Sequence, residues 1–357
     1  MTTSIEWAQN PDGSKGETWN PTRGCTKISP GCKHCYAETF AKRWIGIEGH
    51  AYQLGFTPRL VPGALDKPLR WRKPRGIFVN SMSDLFLEDF SNEYIAAVFG
   101  VMAACPQHRF LVLTKRANRM RQWFEWAAKR GEQGASPFPA DPLGWHIRQM
   151  CHVAARKVGV DMAADERQNH GGPWPLPNVW LGVSVENQEY AEERIAHLLD
   201  TPAAVRFLSC EPLLGPLRLD DIELVAAKSP HGQRVALNAL TGNVIGPDDM
   251  LPASLDWVIV GGESGHAARP CALEWIESIV DQCRTAKVPC FVKQLGGFPV
   301  SIHRTAPAID FPDLPTIGAP SGEAWAWKAG LASSKGGDIA EFPLDLRVRE
   351  FPVVANG

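Results

Sequence analysis

The sequence predicts an α/β chain folded as a partial or near-complete parallel β/α barrel of six or seven β/α units, with loop insertions and a C-terminal extension. Three observations predict it. Short apolar runs rich in Val, Ile and Phe recur without polar alternation, as strands covered on both faces of a parallel sheet do. Helical patterns stand between them. Polar or charged residues close most runs, at the strand ends where β/α barrels gather their active sites.

The runs are "IFVNSMSD" (Ile77 to Asp84), "FLVLTKR" (Phe110 to Arg116), "VWLGVSVEN" (Val179 to Asn187), "VRFLSCEP" (Val205 to Pro212), "DWVIVGGES" (Asp256 to Ser264) and "VPCFVKQ" (Val288 to Gln294). A first strand is placed near Thr18 to Arg23. Tyr36, Phe40 and Trp44 recur at four-residue spacing, with Gly46 as a helix stop. Met120, Trp123, Phe124 and Ala127 share a second helix face, and Trp275, Ile279 and Cys283 a third. Residues 131–177 and 224–252 break the alternation and read as insertions in β/α loops, the former around a helical pattern from Ile147 to Val158. The barrel then occupies 1–300, and 301–357 form an extension packed on it.

The chain has 37 Lys plus Arg against 39 Asp plus Glu, a formal charge of −2. No global attraction to nucleic acid or to a membrane surface is available, so a polyanion must be met by a local patch. No apolar run is long enough to span a bilayer and the first residues lack a signal peptide's pattern, which predicts a cytoplasmic protein with no membrane partner. Nine cysteines, an odd number, argue against a disulfide framework there.

Asp84, Lys115, Glu186, Glu211 and Glu263 end strands in series. A single polar strand end is as readily a turn former, whereas a series points to a common mouth. The stretch "TRGCTKISPGCKHCYAE", residues 22–38, sets Cys25, Cys32 and Cys35 at C-x6-C-x2-C spacing ahead of a helix. Three thiols so close together, beside Lys27, Lys33 and His34, point to a shared metal rather than to core packing. Spacing leaves two metals open. Structural zinc needs a fourth ligand, for which His50 is available. A [4Fe–4S] cluster held by three cysteines leaves one iron for a substrate or cofactor. The helix opening near Tyr36 turns unpaired N–H groups toward the loop, which suits thiolates and sulfides, and Gly24 and Gly31 let the backbone come close. Cys105, Cys151 and Cys210 are isolated, and Cys271, Cys283 and Cys290 lack any CxxC pair, so these six read as core.

Eight blocks carry a resemblance: "TWNPTRGCTKISPGCKHCYAE", "IFVNSMSDLF", "FLVLTKR", "LPNVWLGVSVENQEYAEERI", "RFLSCEPLLGP", "DWVIVGGESG", "FVKQLGG" and "GGDIAEFPLDLRVREFP". In this order they resemble the phage Gp37/Gp68 family, of DUF5131 type, which belongs to the radical S-adenosylmethionine (SAM) enzymes. The resemblance implies a radical SAM barrel in which Cys25, Cys32 and Cys35 hold a [4Fe–4S] cluster and SAM chelates the open iron. The wider superfamily spaces its cysteines C-x3-C-x-aromatic-C; here the first gap is longer, and His34 supplies the planar ring. Ser81, Ser83 and Asp84 stand where the superfamily binds the SAM amino group. Ser184, Glu186 and Asn187 suit the ribose hydroxyls, although Asn187 is equally a helix N-cap ahead of "QEYAEERI".

Glu211 is a further candidate contact, with a turn before Pro212 as the plainer reading. Gly261 and Gly262 permit close backbone approach to a ligand, with Glu263 beside them, and Lys115 and Lys293 suit a carboxylate or phosphate. The resemblance also implies an electron donor such as flavodoxin or ferredoxin. Its substrate would be modified thymidine, in phage DNA or as a nucleotide, with a glycine adduct isomerised from nitrogen to the α-carbon. The competing reading is a zinc- or cluster-bearing nucleic-acid-binding protein without catalysis, on the strength of "LRWRKPRG", where Arg70, Arg72, Lys73 and Arg75 surround Trp71, together with Lys115, Arg116, Arg119 and Arg121. On either reading Trp71 offers a stacking surface for a base. Acidic residues at so many strand ends favour the enzyme.

Overall fold

The computed structural model describes residues 3, 5–9, 13–131, 141–162, 173–223, 235–245, 253–301, 317–318, 325–328 and 331–353. Seven strands, β1 (Glu17–Trp19), β2 (Gly76–Val79), β3 (Arg109–Thr114), β4 (Val179–Ser184), β5 (Val205–Cys210), β6 (Trp257–Gly261) and β7 (Cys290–Gln294), lie in chain order across one seven-stranded sheet. Val79 stands opposite Trp19 and Val112, Leu111 opposite Trp180, and Ile259 opposite Ser209 and Phe291, each in parallel register. Parallel neighbours need a crossover between them, so this succession is the β/α progression of a partial barrel. The helices are α1 (Tyr36–Lys42), α2 (Asn92–Ala103), α3 (Ala117–Gly131), α4 (Pro142–Lys157), α5 (Gln188–Leu199) and α6 (Leu273–Ala286).

Two compact units divide the chain: residues 1–183 with 197–206, and residues 184–196 with 207–357. In the first, Ile77, Val79, Phe110 and Val112 are wholly buried, and α3 buries the predicted Met120, Trp123, Phe124 and Ala127. Trp123 stacks on Phe99 of α2 with ring centroids 4.3 Å apart. Helix α4, in the stretch read as an irregular insertion, lies against α2. A Cβ at Gly100 would fall 2.3 Å from the Cys151 carbonyl oxygen, so only glycine allows that approach. Residues 132–140 and 163–172 of the same stretch lie outside the described residues.

The first strand is shorter than expected. β1 ends at Trp19, and Thr22–Arg23 pairs antiparallel with Arg59–Leu60 instead. Pro21, which has no N–H to give a ladder, stands between them. Its carbonyl accepts from the Tyr94 hydroxyl and from the Val61 N–H, both at 2.8 Å. Helix α1 also departs from its pattern: Ala37 and Ala41 form the buried side, while Tyr36 and Phe40 are 61% and 41% exposed, and the helix stops at Lys42 before Gly46.

In the second unit α6 buries Ile276, Ile279, Val280 and Cys283. Ile222–Glu223, Ala236–Leu237 and Val244–Ile245 form a small antiparallel sheet in and beside the second insertion, whose other residues lie largely outside those described. Residues 331–353 close over β6 and β7. The Val292 N–H donates to the Val348 carbonyl at 2.8 Å, the Glu350 N–H to the Cys290 carbonyl at 2.8 Å, and the Trp257 indole to the Glu350 carbonyl at 2.9 Å. Residues 331–353 thus share one compact unit with β6 and β7.

Candidate metal and cofactor site

All nine cysteines are free thiols, and Cys25, Cys32 and Cys35 are half-buried whereas the other six are buried. The loop that carries them is fixed to the end of β2. Gly24 forms a parallel bridge with Ser83, and its N–H donates to the Met82 carbonyl at 3.1 Å. Gly24 has φ of +76°, and a Cβ there would lie 2.3 Å from the Thr57 carbonyl oxygen, so the anchor requires glycine twice over. Cys32 ends a short 3-10 turn, its sulfur 3.7 Å from the Ser29 hydroxyl, and Cys35 immediately precedes α1. Lys27 pairs with Glu38 of α1 at 2.8 Å and donates to the Lys33 carbonyl at 3.4 Å, tying the loop across itself.

Cys25 is the thiol joined to the sheet. Arg116, just past β3, donates through Nη1 to the Cys25 sulfur at 3.4 Å, and through Nη2 to the Thr26 hydroxyl at 2.7 Å and the Thr26 carbonyl at 3.1 Å. Its other donors go to Glu88 at 2.8 Å and Asp84 at 3.3 Å. Burial pushes the bare Cys25 thiol up to about 12, with the Asp84 carboxylate adding to it and the Arg116 guanidinium opposing both. A cation and a directed donor at the sulfur suit a thiolate ligand.

Most of the candidate side chains are committed to protein partners. Asp84 accepts from the Thr114 hydroxyl at 2.7 Å, the Phe86 N–H at 3.0 Å, the Lys115 N–H at 3.1 Å and Arg116. Its two oxygens are saturated. Ser83 bonds Thr22 and Asn80, each at 2.8 Å, and Ser81 bonds Asn20 at 3.1 Å. The Tyr36 hydroxyl donates to the Ser81 carbonyl. Asn20, Thr22 and Asn80 are not singled out by the sequence, and Tyr36 is read there only as part of a helix; all but Asn80 lie in the conspicuous block from Thr18 to Glu38.

In the second unit, Glu186 is fully buried, 3.2 Å from Arg194 of α5, which also donates to the Ser184 carbonyl at 2.8 Å. Asn187 caps α5, its side-chain oxygen accepting from the Tyr190 N–H at 3.2 Å, as the plainer reading expected. Glu211 is 2.9 Å from the Lys293 ammonium. Glu263 is held by Arg269 through two guanidinium nitrogens, at 2.7 and 2.9 Å. Gly261 and Gly262 admit the chain itself: a Cβ at Gly261 would stand 3.0 Å from Glu211 Oε1 and from the Gln294 carbonyl, and one at Gly262 would stand 2.3 Å from the Leu295 carbonyl.

Trp71 does not reach the cysteine loop. "LRWRKPRG" ends at Gly76, where β2 begins, whereas the loop is bonded to residues beyond the other end of that strand. Four residues of strand separate the two ends by about 13 Å. The Trp71 ring already carries Arg75 at 5.6 Å and meets the His108 ring at 6.0 Å, Arg75 pairs with Glu17, and Arg70 with Asp66. His50, considered as a zinc ligand, stacks on Trp44 at 4.0 Å and accepts the Tyr52 N–H through Nδ1.

Among the described residues no three His, Cys, Asp or Glu side chains are gathered to hold a single metal ion. Cubane ligands bind separate irons and need no common point. Cys283 shares a hydrogen bond with Cys290, which together with burial raises its thiol, and Cys210 lies near them. No helix among the described residues is long and apolar enough to cross a membrane.

No curated protein and no solved structure matches the chain. The family described as protein of unknown function (DUF5131) matches residues 2–311, nearly the whole chain, in agreement with the DUF5131-type resemblance over the seven blocks that fall within it. The protein belongs to the DUF5131 family.

Proposed function

We propose that the protein is a radical SAM enzyme whose Cys25, Cys32 and Cys35 hold a [4Fe–4S] cluster with one iron left for SAM. The observation that carries this reading is the sorting of the thiols: three half-exposed cysteines share one cation-bearing loop, while the remaining six are buried. When bound, the cluster supplies the electron that cleaves the sulfonium bond of SAM to a 5′-deoxyadenosyl radical. The chain's own residues supply position. Arg116 holds the Cys25 sulfur, the Gly24 bridge fixes the loop to β2, and the Lys27 and Glu38 pair ties it to α1.

Anaerobic reconstitution tests this directly. About four irons and four sulfides per chain are expected, lost together when Cys25, Cys32 and Cys35 are changed to Ala. Reduced protein with SAM should release 5′-deoxyadenosine. One tightly bound zinc per chain with no cluster would overturn the reading.

For the substrate we propose a glycine adduct on a modified thymine, rearranged without change of mass, following the resemblance to the phage family. Support for Trp71 as its stacking surface is withdrawn by the position of that residue at the opposite end of β2. Incubation of reduced protein and SAM with glycine-modified phage DNA, then nucleoside chromatography and mass spectrometry, should give an isobaric product of shifted retention. An unchanged nucleoside while SAM is consumed would remove the substrate and leave the radical chemistry.

A further inference from the structure

We infer that the surface formed by α1 and the loop following it is the docking face for an acidic, one-electron carrier protein. This rests on the cluster reading above, since a cluster in the cysteine loop needs an electron from outside. Seven of the eleven large apolar side chains that stand exposed among the described residues fall between Ile28 and Leu60. Ile45, Ile47 and Leu54 are 59%, 52% and 62% exposed. Apolar surface concentrated in one place is the usual mark of an interaction site.

Helix α1 and the loop after it hold together. Phe40 of α1 packs on Trp44 and Tyr52 with centroids 6.1 and 5.7 Å away, and the Gly46 N–H bonds the Gln53 carbonyl at 2.9 Å. These contacts engage the Phe40, Trp44 and Tyr52 rings with one another, and the most exposed side chains of the following loop, Ile45, Ile47 and Leu54, are aliphatic. A nucleic-acid strand would want free ring faces to stack on, whereas a protein face accepts aliphatic surface.

Charge narrows the partner further. Lys33, Lys42, Arg43 and Arg59 lie between Ile28 and Leu60 against Glu38 and Glu48, a local excess of two positive charges in a chain of net −2, with Lys27 just ahead of it. Glu38 is already shared by Lys27 and Lys42, at 2.8 and 3.0 Å. A second copy of this chain would bring like charge to like across a two-fold axis, while an acidic partner is attracted. The same segment is joined to Cys35 by the seven residues of α1, a length of about 10 Å, which puts a carrier seated here within reach of the thiols. Small, weak and electrostatically steered interfaces are typical of such redox encounters. In the transfer the carrier loses one electron and the cluster gains one; no proton or group moves with it.

The test uses the full chain, reconstituted anaerobically, with flavodoxin hydroquinone as protein donor and dithionite as small-molecule donor in stopped flow. In the Ile45→Glu, Ile47→Glu, Leu54→Glu triple variant, reduction by flavodoxin is expected to slow by about tenfold or more, with dithionite reduction unchanged. Wild-type reduction by flavodoxin should also weaken as salt rises. An unchanged flavodoxin rate in the triple variant overturns the assignment. So does a triple variant that instead loses a dimer on size exclusion or loses affinity for single-stranded DNA. Wild-type protein that takes up no cluster would overturn the function reading itself, and the docking face with it, and is told apart because dithionite then reduces nothing.

Discussion

Arg116 Nη1 lies 3.4 Å from the sulfur of Cys25 and 3.3 Å from a carboxylate oxygen of Asp84. One guanidinium thus joins a thiol of the loop to the end of β2. The Arg116 side chain is only 2% exposed, so water and salt screen this cation poorly. Hydrogen bonds and charge at the sulfurs are among the levers that set an iron–sulfur potential. Cys25 receives this from a buried guanidinium, whereas Cys32 has the Ser29 hydroxyl at 3.7 Å and the exposed Lys27 near it.

Replacing Arg116 by Lys or Met should therefore lower the reduction potential of the reconstituted cluster. A hydrogen bond to a charged group is worth about 1.5–3 kcal/mol, and the part by which it favours the reduced cluster sets the shift, so the fall is at most about 65–130 mV for a one-electron couple. An EPR-monitored redox titration measures it, with iron content checked in the same samples. A merely structural arginine would leave the potential where it was while lowering the melting temperature. The Lys variant, which keeps the charge, is expected to fall less than Met.

Asp84→Ala should destabilise the fold. It removes the acceptor of four donors and leaves the Arg116 charge facing Glu88 alone, a loss of about 3–5 kcal/mol for a broken buried pair. Denaturant unfolding measures it. Asp84→Asn, which keeps one acceptor oxygen, should lose less, and any fall in SAM affinity should track the fall in iron content. Weakened SAM binding in a fully loaded, stable Asp84→Asn variant would instead make Asp84 a direct contact.

Six of the seven strands were legible because each spells a largely continuous apolar run, as strands covered on both faces do, whereas β1, spelled Glu-Thr-Trp, carries no such run. The same rule misled at α1. Its large residues face outward and its buried side is Ala37 and Ala41, too small to register as a stripe. Helix α4 was legible as a pattern, yet its packing depends on a glycine in α2, far away in the chain. At the candidate site the series of polar strand ends was visible, but their partners were not. Asp84 and Arg116 are 32 residues apart, and Glu263 finds Arg269 within one loop. Order along a chain says which side chains end strands, not which of them neutralise one another.

His108 gives a pH dependence of stability. Its Nε2 lies 3.2 Å from the Pro68 carbonyl, and the side chain is buried. Burial is the main reason its pKa is lowered, with Arg75 adding to it. The unfolded chain then binds the proton more readily than the folded one, so stability is full above about pH 6.5 and falls as pH drops from there toward the folded pKa. Melting temperatures between pH 7.5 and 5.5 should decline in the wild type. The decline should be shallower in His108→Gln, which retains a donor for Pro68 but cannot titrate. Equal slopes would place the acid sensitivity elsewhere.

Glu186 and Arg194 provide the last prediction. Both are almost completely buried, 3.2 Å apart, and Arg194 Nε and Nη2 have no hydrogen-bond partner among the described residues. Glu186→Leu alone leaves the guanidinium uncompensated and should cost about 3–5 kcal/mol, whereas the double change Glu186→Leu, Arg194→Met removes both charges and should recover most of it. Urea unfolding of the two single variants and the double completes the cycle. The recovered double variant then separates two roles for Glu186 that a single substitution confuses. A carboxylate spent on Arg194 positions the end of β4, so the double variant should load its cluster and bind SAM as the wild type does by equilibrium dialysis. A stable, loaded double variant with SAM affinity reduced by about tenfold would instead assign the Glu186 carboxylate to the ribose hydroxyls, since loss of a hydrogen bond to a charged group is of that size.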